Sequence, residues 1–248
     1  MNEQPSGESN SKQAKARRPS AFQQYRILLG KDLRQEFRSF EMLSSMVIYA
    51  VLVLIVYGAA FASASNVNVL QISGGLLWAL IVFTSLLGLN RSFAHEKEQG
   101  CLEGILLVPL DRGVVFLAKA TANFLFLIVV EAIVLPLFWF FFLADVELAS
   151  SAPYMMLLLL VGTVGIAAVG TLLATITVNT SGKDVMLAVL FIPIIFPLLY
   201  ACVSGTTAVM VGAEGWQETL RIALALAVGY DVIMVLVSWV LYDFVVSA

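Results

Sequence analysis

Apolar residues run almost without interruption for about twenty positions six times along the chain, near 43–62, 73–91, 115–143, 154–178, 185–203 and 222–246. A helix rises ~1.5 Å per residue, so roughly twenty apolar residues cross the ~30 Å of bilayer hydrocarbon. The runs are continuous rather than alternating, which excludes the short two-sided strands of a membrane barrel. The pattern predicts an all-α integral membrane protein with six spans. Residues 204–221, "SGTTAVMVGAEGWQETLR", read as too polar to span and are expected to form a periplasmic or re-entrant element.

Ahead of the first run the pattern changes. In "AFQQYRILLGKDLRQEFRSFE" (21–41), Phe22, Tyr25, Leu29, Leu33, Phe37 and Phe40 recur every three or four residues, with Arg26, Lys31, Asp32, Arg34, Glu36 and Arg38 between them. Such spacing predicts an amphipathic helix lying at the membrane interface. A solvated helix packed on a partner is the other reading. Residues 1–20 are polar, carry Lys12, Lys15, Arg17 and Arg18, and read as a disordered basic cytoplasmic tail without a secretory-signal pattern. The expected organisation is tail 1–20, interface helix 21–41 and a six-helix transmembrane domain over 42–248.

Composition agrees with this picture. The chain is 60% hydrophobic and 12% charged, and its mean hydropathy is +0.93. Cys101 and Cys202 form no framework, and a lone His95 excludes a His-rich metal site. Charge position is more telling than net charge. With an even number of spans and the N-terminus inside, every Lys and Arg except Arg221 falls on one side, and the connections 63–72 and 144–153 contain none. The positive-inside rule places both termini in the cytoplasm. Nothing in the pattern suggests nucleic acid as a partner.

One strip breaks the apolar sequence sharply. "AHEKEQGCLEGILLVPLDR" (94–112) packs His95, Glu96, Lys97, Glu98, Glu103, Asp111 and Arg112 into the longest internal cytoplasmic connection. Few helix breakers occur from Phe93 to Leu107, and Pro109 then stops the run. A short amphipathic helix here suits docking into a groove of another protein. An ordinary solvated connector is the plainer reading. The chain carries no G-x-x-x-x-G-K-[ST] phosphate loop: Asp follows both Gly30-Lys31 and Gly182-Lys183, and no Gly stands five residues earlier.

The amphipathic N-terminal helix, six spans and the strip together resemble the type 2 ABC exporter permeases, in which the segment after the second span reads E-x-E-x-G-T-x-E, then an apolar stretch and a Pro. Glu96, Glu98, Gly100, Glu103 and Pro109 match, with Cys101 where Thr or Ser is common. More narrowly, the strip, "KDLRQEFRS" (31–39) and "LAKATANFLF" (117–126) resemble CcmB, the haem exporter protein B family of bacterial cytochrome c maturation. The likeness runs from about Tyr25 to the C-terminus and leaves out the tail. It implies a cytoplasmic coupling helix at the strip and a bacterial inner-membrane location. It also implies a CcmA-like ATPase subunit that binds ATP, and partners similar to CcmC, CcmD and CcmE. A second copy of the chain and membrane lipid complete the implied surroundings. Haem is then expected on another subunit, since the chain has no C-x-x-C-H and its tryptophans are scattered.

Two acids lie inside the spans. Glu131 is twelve residues from Lys119, and Asp231 is ten from Arg221, which puts each ~15–18 Å deep. A charge at mid-bilayer costs at least ~2.5–3.5 kcal/mol, and no basic residue within the spans is evident as a partner. Either the acids line a polar substrate or proton path, or they hydrogen-bond helix to helix. Thr163, Ala167, Thr171 and Thr175 form a small-residue stripe that favours close packing. Pro136, Pro193 and Pro197 favour kinks. Two other functions stay open: a type 2 exporter permease for a lipid, drug or polysaccharide, and a membrane enzyme using Glu131 and Asp231 as acid and base.

Overall fold

The computed structural model describes residues 20–62, 68–98, 111–143, 152–177, 180, 182–212 and 214–247, and its regular elements are all helices. Helix α1 spans Ala21–Ser39, α2 Glu41–Ala62, α3 Val69–Glu98, α4 Arg112–Phe142, α5 Ala152–Thr177, α6 Lys183–Val211 and α7 Trp216–Ser247. Six of them, α2 to α7, are long and apolar enough to cross a membrane. The chain is a multi-pass membrane protein.

Local signals fix the helix ends. Ser20 caps α1: its Oγ accepts from the Gln23 N–H at 3.3 Å, while Gln23 Oε1 accepts from the Ser20 N–H at 3.1 Å. This reciprocal pair satisfies two donors that the first turn cannot use itself. Phe40 ends α1 with φ 52°, a left-handed conformation that costs an L-residue about 1–2 kcal/mol. Two bonds offset that cost. The Phe40 N–H donates to the Glu36 carbonyl at 2.7 Å, and Glu36 Oε1 accepts from the Leu43 N–H at 2.8 Å in the first turn of α2. A single residue therefore turns α1 into α2.

Helices α3 and α5 form the centre. In the most apolar stretch of α5, 72% of residues are buried, against 17% in α2 and in α7. Small residues make that possible. Gly162 faces the Trp78 ring of α3 and Cys202 Sγ of α6; Gly165 faces Asp231 of α7 and Leu198 of α6. A side chain at either position would meet atoms already in place. Trp78 Nε1 also donates to Thr206 Oγ1 at 2.9 Å, joining α3 to α6.

Contacts sort the helix termini into two ends. Arg91 Nη1 reaches the Glu41 carbonyl at 3.5 Å, Gln24 Oε1 meets the Asp111 N–H at 3.1 Å, and Arg112 Nη1 pairs with Asp243 Oδ1 at 3.2 Å. The start of α2, the end of α3, the start of α4, the end of α7 and α1 thus share one end. Phe61 meets Phe142 edge-on, Tyr154 meets Trp216 in the same way, and Ser73 Oγ lies 3.0 Å from Met210 Sδ at the other. Among the described residues that second end carries one cation, Arg221.

Two expectations need correction. Residues 204–221 are not one polar element: α6 continues to Val211, α7 starts at Trp216, and Gly212 and Gly215 hold left-handed conformations between them. The hydroxyls do not demand water, because Ser204 Oγ donates to the Tyr200 carbonyl at 2.7 Å and Thr206 takes the Trp78 N–H. The stretch Phe93–Glu98 is not the start of a separate helix but the end of α3. The α1 stripe is split: Leu29 and Leu33 pack on the core, whereas Phe22, Phe37 and Phe40 are exposed.

Gly162→Ala should lower the thermal midpoint of the purified chain in detergent by an overpacking cost of about 1–3 kcal/mol. Gly229→Ala is the control: a Cβ at Gly229 meets nothing within 4 Å, so it should hold or raise the midpoint by up to ~1 kcal/mol. Equal behaviour of the two would contradict the central placement of α5.

Candidate functional site

The basic end is built from residues that sequence spacing partly marks. Glu96 and Glu98 belong to the last turns of α3, so the long span itself carries them to that end. Gly100, Glu103 and Pro109 lie outside the described residues. Beyond them Asp111 opens α4, its Oδ1 accepting from the Gly113 N–H at 3.0 Å as an N-cap. Below the cap, Val115, Phe116, Ala168 and Tyr242 form a small apolar cluster, against which Leu28 of α1 packs. The acidic strip is therefore flanked by two long helices whose ends are tied to α1, α2 and α7.

Deeper in the membrane, α4 and α5 meet along a polar seam. Asn123 Nδ2 donates to Thr171 Oγ1 at 2.8 Å, and Thr171 in turn donates to the Ala167 carbonyl at 2.7 Å. Eight residues on along α4, Glu131 meets Thr163, eight residues back along α5, at 2.6 Å. The two rungs are ~12 Å apart, and Leu127 and Ala167, both buried, separate them. Thr163 Oγ1 also lies 2.8 Å from the Leu159 carbonyl. One hydroxyl proton serves one acceptor, so a neutral Glu131 donating to Thr163 would satisfy both contacts. The Thr163–Ala167–Thr171–Thr175 stripe packs closely, as its spacing suggests, and also supplies the hydroxyls for two rungs.

Lys119, within the first turns of α4, is 6% exposed and leaves intact the expectation that no basic residue in the spans pairs with Glu131. Twelve residues, ~18 Å, separate it from Glu131, too far for an ion pair.

Asp231 has a different setting. It is 7% exposed on α7, and its Oδ1 has no hydrogen-bond partner while pressed against Gly165 of α5. The neighbouring Tyr230 donates its hydroxyl to the Ile194 carbonyl at 2.7 Å, between Pro193 and Pro197 of α6. The structure does not bring the two acids together. Thr163 and Gly165 are two residues apart, about 200° around the helix, so Glu131 and Asp231 touch opposite sides of α5. A shared acid–base site is not formed.

Sequence spacing missed Gln24, Thr206 and Asn123. Gln24 is polar and lies beside the apolar stripe of α1 rather than on it. Thr206 sits in a segment read as polar and external. The matched eight-residue steps Asn123–Glu131 and Thr163–Thr171 were a legible signal for the seam.

The chain matches the profile of the family described as CcmB protein over residues 23–240. It belongs to the CcmB family. It is similar to Heme exporter protein B of Pseudomonas aeruginosa, with 27% identity over 191 residues that cover 77% of this chain and 82% of that protein. Heme exporter protein B of Rhodobacter capsulatus is 30% identical over 157 residues, 62% of this chain and 68% of that protein. The matched region includes the strip, the polar seam and Asp231, and begins one residue before Gln24.

Stability should separate the two acids. Glu131→Gln can still donate to Thr163 and should keep the thermal midpoint. Glu131→Leu removes one interhelical bond and should lower it, by about 0.6 kcal/mol and at most ~1.7. Asp231→Asn loses no bond to Oδ1 and should not lower it. Detergent melts of the three variants provide the check, and a large loss in Asp231→Asn would reveal a partner that the packing does not show.

Proposed function

We propose that the chain is the membrane permease subunit of a bacterial ABC-type haem export system serving cytochrome c maturation. CcmB-family membership across the whole membrane region carries this reading. The relatives' name, Heme exporter protein B, favours haem over the lipid, drug or polysaccharide of other type 2 exporters. The sequence has no phosphate loop, so ATP binding and hydrolysis fall to a CcmA-like partner.

The acidic strip is the contact for that partner. Glu96, Glu98, Gly100, Glu103 and Pro109 form the coupling element, with α3 entering it and α4 leaving it. ATP-driven closure of the partner pushes on these two helices. The work done at the opposite end is haem delivery, or release of a haem-loaded CcmE-like chaperone, together with CcmC- and CcmD-like proteins. A second copy of the chain belongs to the partners of this reading.

The surroundings follow from charge. The basic end faces the cytoplasm of the bacterial inner membrane, with both termini there. Helix α1 lies in the interface: its bundle side presents Leu28, Leu29 and Leu33, while Phe22, Ile27, Phe37, Phe40, Arg26, Lys31, Arg34 and Arg38 are exposed. Exposed aromatic and basic side chains on one short helix suit lipid head groups.

Charge reversal in Glu98→Lys with Glu103→Lys should reduce recovery of the ATPase subunit with the tagged chain, and lower cytochrome c maturation, at unchanged membrane abundance. Wild-type recovery and maturation would remove the strip from the interface. On a background lacking Cys101 and Cys202, Ser65→Cys, Leu148→Cys and Glu214→Cys should label with an impermeant thiol reagent in whole cells, and Glu98→Cys should not. The reverse pattern would invert the assigned orientation.

A further inference from the structure

We propose that Gln24 is a positioning residue: it fastens the point where the chain leaves the acidic strip to α1, so that displacement of the strip moves α1 and, with it, α2. The proposal rests on the strip being the ATPase contact.

Gln24 is the single buried residue of α1, at 8% exposure, on a helix otherwise half-buried or exposed. Its Oε1 accepts from the backbone N–H of Asp111 at 3.1 Å, across 87 residues of chain. Asp111, at the C-terminal end of the strip, is the N-cap of α4, and the helix itself offers no acceptor for an N-cap N–H. The bond therefore meets a demand that α4 cannot meet alone. Leu28, one turn further along α1, packs on the Val115, Phe116 and Tyr242 cluster, so the same side of α1 follows α4 inward.

The other end of α1 is equally tied. Phe40 is the only residue between α1 and α2, and Glu36 Oε1 holds the Leu43 N–H of α2 at 2.8 Å. Despite that direct link, α1 packs mainly along α4 and only slightly on α2. Helix α1 is thus a strut, one end on the exit of the strip and the other on the first span. An apolar residue at position 24 could bury as much area, but hydrophobic contact is non-directional. A hydrogen bond weakens steeply once its angle is lost, so Gln24 sets where Asp111 stands relative to α1.

The test uses the complete complex in native membranes, with three readouts: abundance of the tagged chain, recovery of the ATPase subunit, and cytochrome c maturation per amount of chain. Gln24→Leu keeps the size of the side chain but removes the acceptor. It should leave abundance and recovery at wild-type levels and lower maturation about threefold to tenfold, the equilibrium worth of one hydrogen bond. Gln24→Glu keeps an oxygen at the same reach, beside a helix N-terminus that favours negative charge, and should restore maturation. Normal maturation in Gln24→Leu overturns the proposal. So does a parallel fall of abundance and maturation in both variants, which would make the residue merely structural. The strip variants Glu98→Lys and Glu103→Lys separate the two levels. If they impair recovery and maturation while Gln24→Leu does not, the strut alone falls. If they change nothing, the coupling reading falls and the strut with it.

Discussion

Close approach to the α5 backbone is the constraint on which the rest of the bundle depends. Lipid tails are as apolar as leucine, so no hydrophobic force drives one span against another; packing and interhelical bonds must do it. Gly162, Thr163, Gly165, Ala167 and Thr171 keep α5 narrow enough for α3, α4, α6 and α7 to reach it. Trp78 fills the space at Gly162 with the edge of its ring, and Asp231 occupies the space at Gly165. The same narrow face brings Thr163 and Thr171 within bonding distance of Glu131 and Asn123. Polar groups inside the membrane are therefore consequences of the packing as much as causes of it.

The spans were legible because membrane thickness imposes a length, and length can be counted in a sequence. Polar content was a poorer guide. The 204–221 segment contains Ser, Thr and Gly, which look external by composition, yet a hydroxyl in a helix can donate to a carbonyl four residues back and leave the helix free to enter lipid. Ser204 does so, and Thr206 serves Trp78. The α1 stripe was legible as one face of a helix. Periodicity locates an apolar face but not which body covers it, and here the bundle covers only its flank, through Leu29 and Leu33, leaving Phe22 and Phe37 outside. The polar seam lay between these cases. Its hydroxyl stripe was visible on α5, but pairing with Asn123 and Glu131 depends on antiparallel register, which single-helix periodicity does not carry.

Glu131 and Asp231 show why depth alone does not define a role. Both are over nine-tenths buried at similar depth. One meets a threonine; the other presses an unpaired oxygen against a glycine. An unpaired buried acceptor costs about 1–3 kcal/mol, a loss that a packing role does not require. Asp231 also sits next to Tyr230, which holds the proline-bracketed part of α6, so this side of α5 joins an unmet polar demand to a helix already lacking backbone donors at Pro193 and Pro197. Rearrangement is less costly there than at the satisfied Glu131 rung.

Aromatic packing joins helices at both ends of the bundle, and the basic end adds exposed polar links. At the end bearing Arg221, Phe61 meets Phe142 at 6.2 Å and Tyr154 meets Trp216 at 5.7 Å between ring centres. Aromatic pairs of this kind contribute about 0.5–1.5 kcal/mol beyond the area they bury. At the basic end the principal interhelical ion pair, Arg112 with Asp243, has side chains 40% and 67% exposed. Exposed pairs contribute only about 0–1 kcal/mol, and salt screens them. Single hydrogen bonds such as Gln24 to Asp111 and Arg91 to Glu41 supply the remaining polar links. The basic end also holds an aromatic pair, Phe116 with Tyr242 at 5.5 Å between ring centres, so apolar packing joins helices at both ends. Below it, the seam bonded at Asn123 and Glu131 keeps α4 and α5 together, so the exposed polar links are the part of this end that salt can weaken.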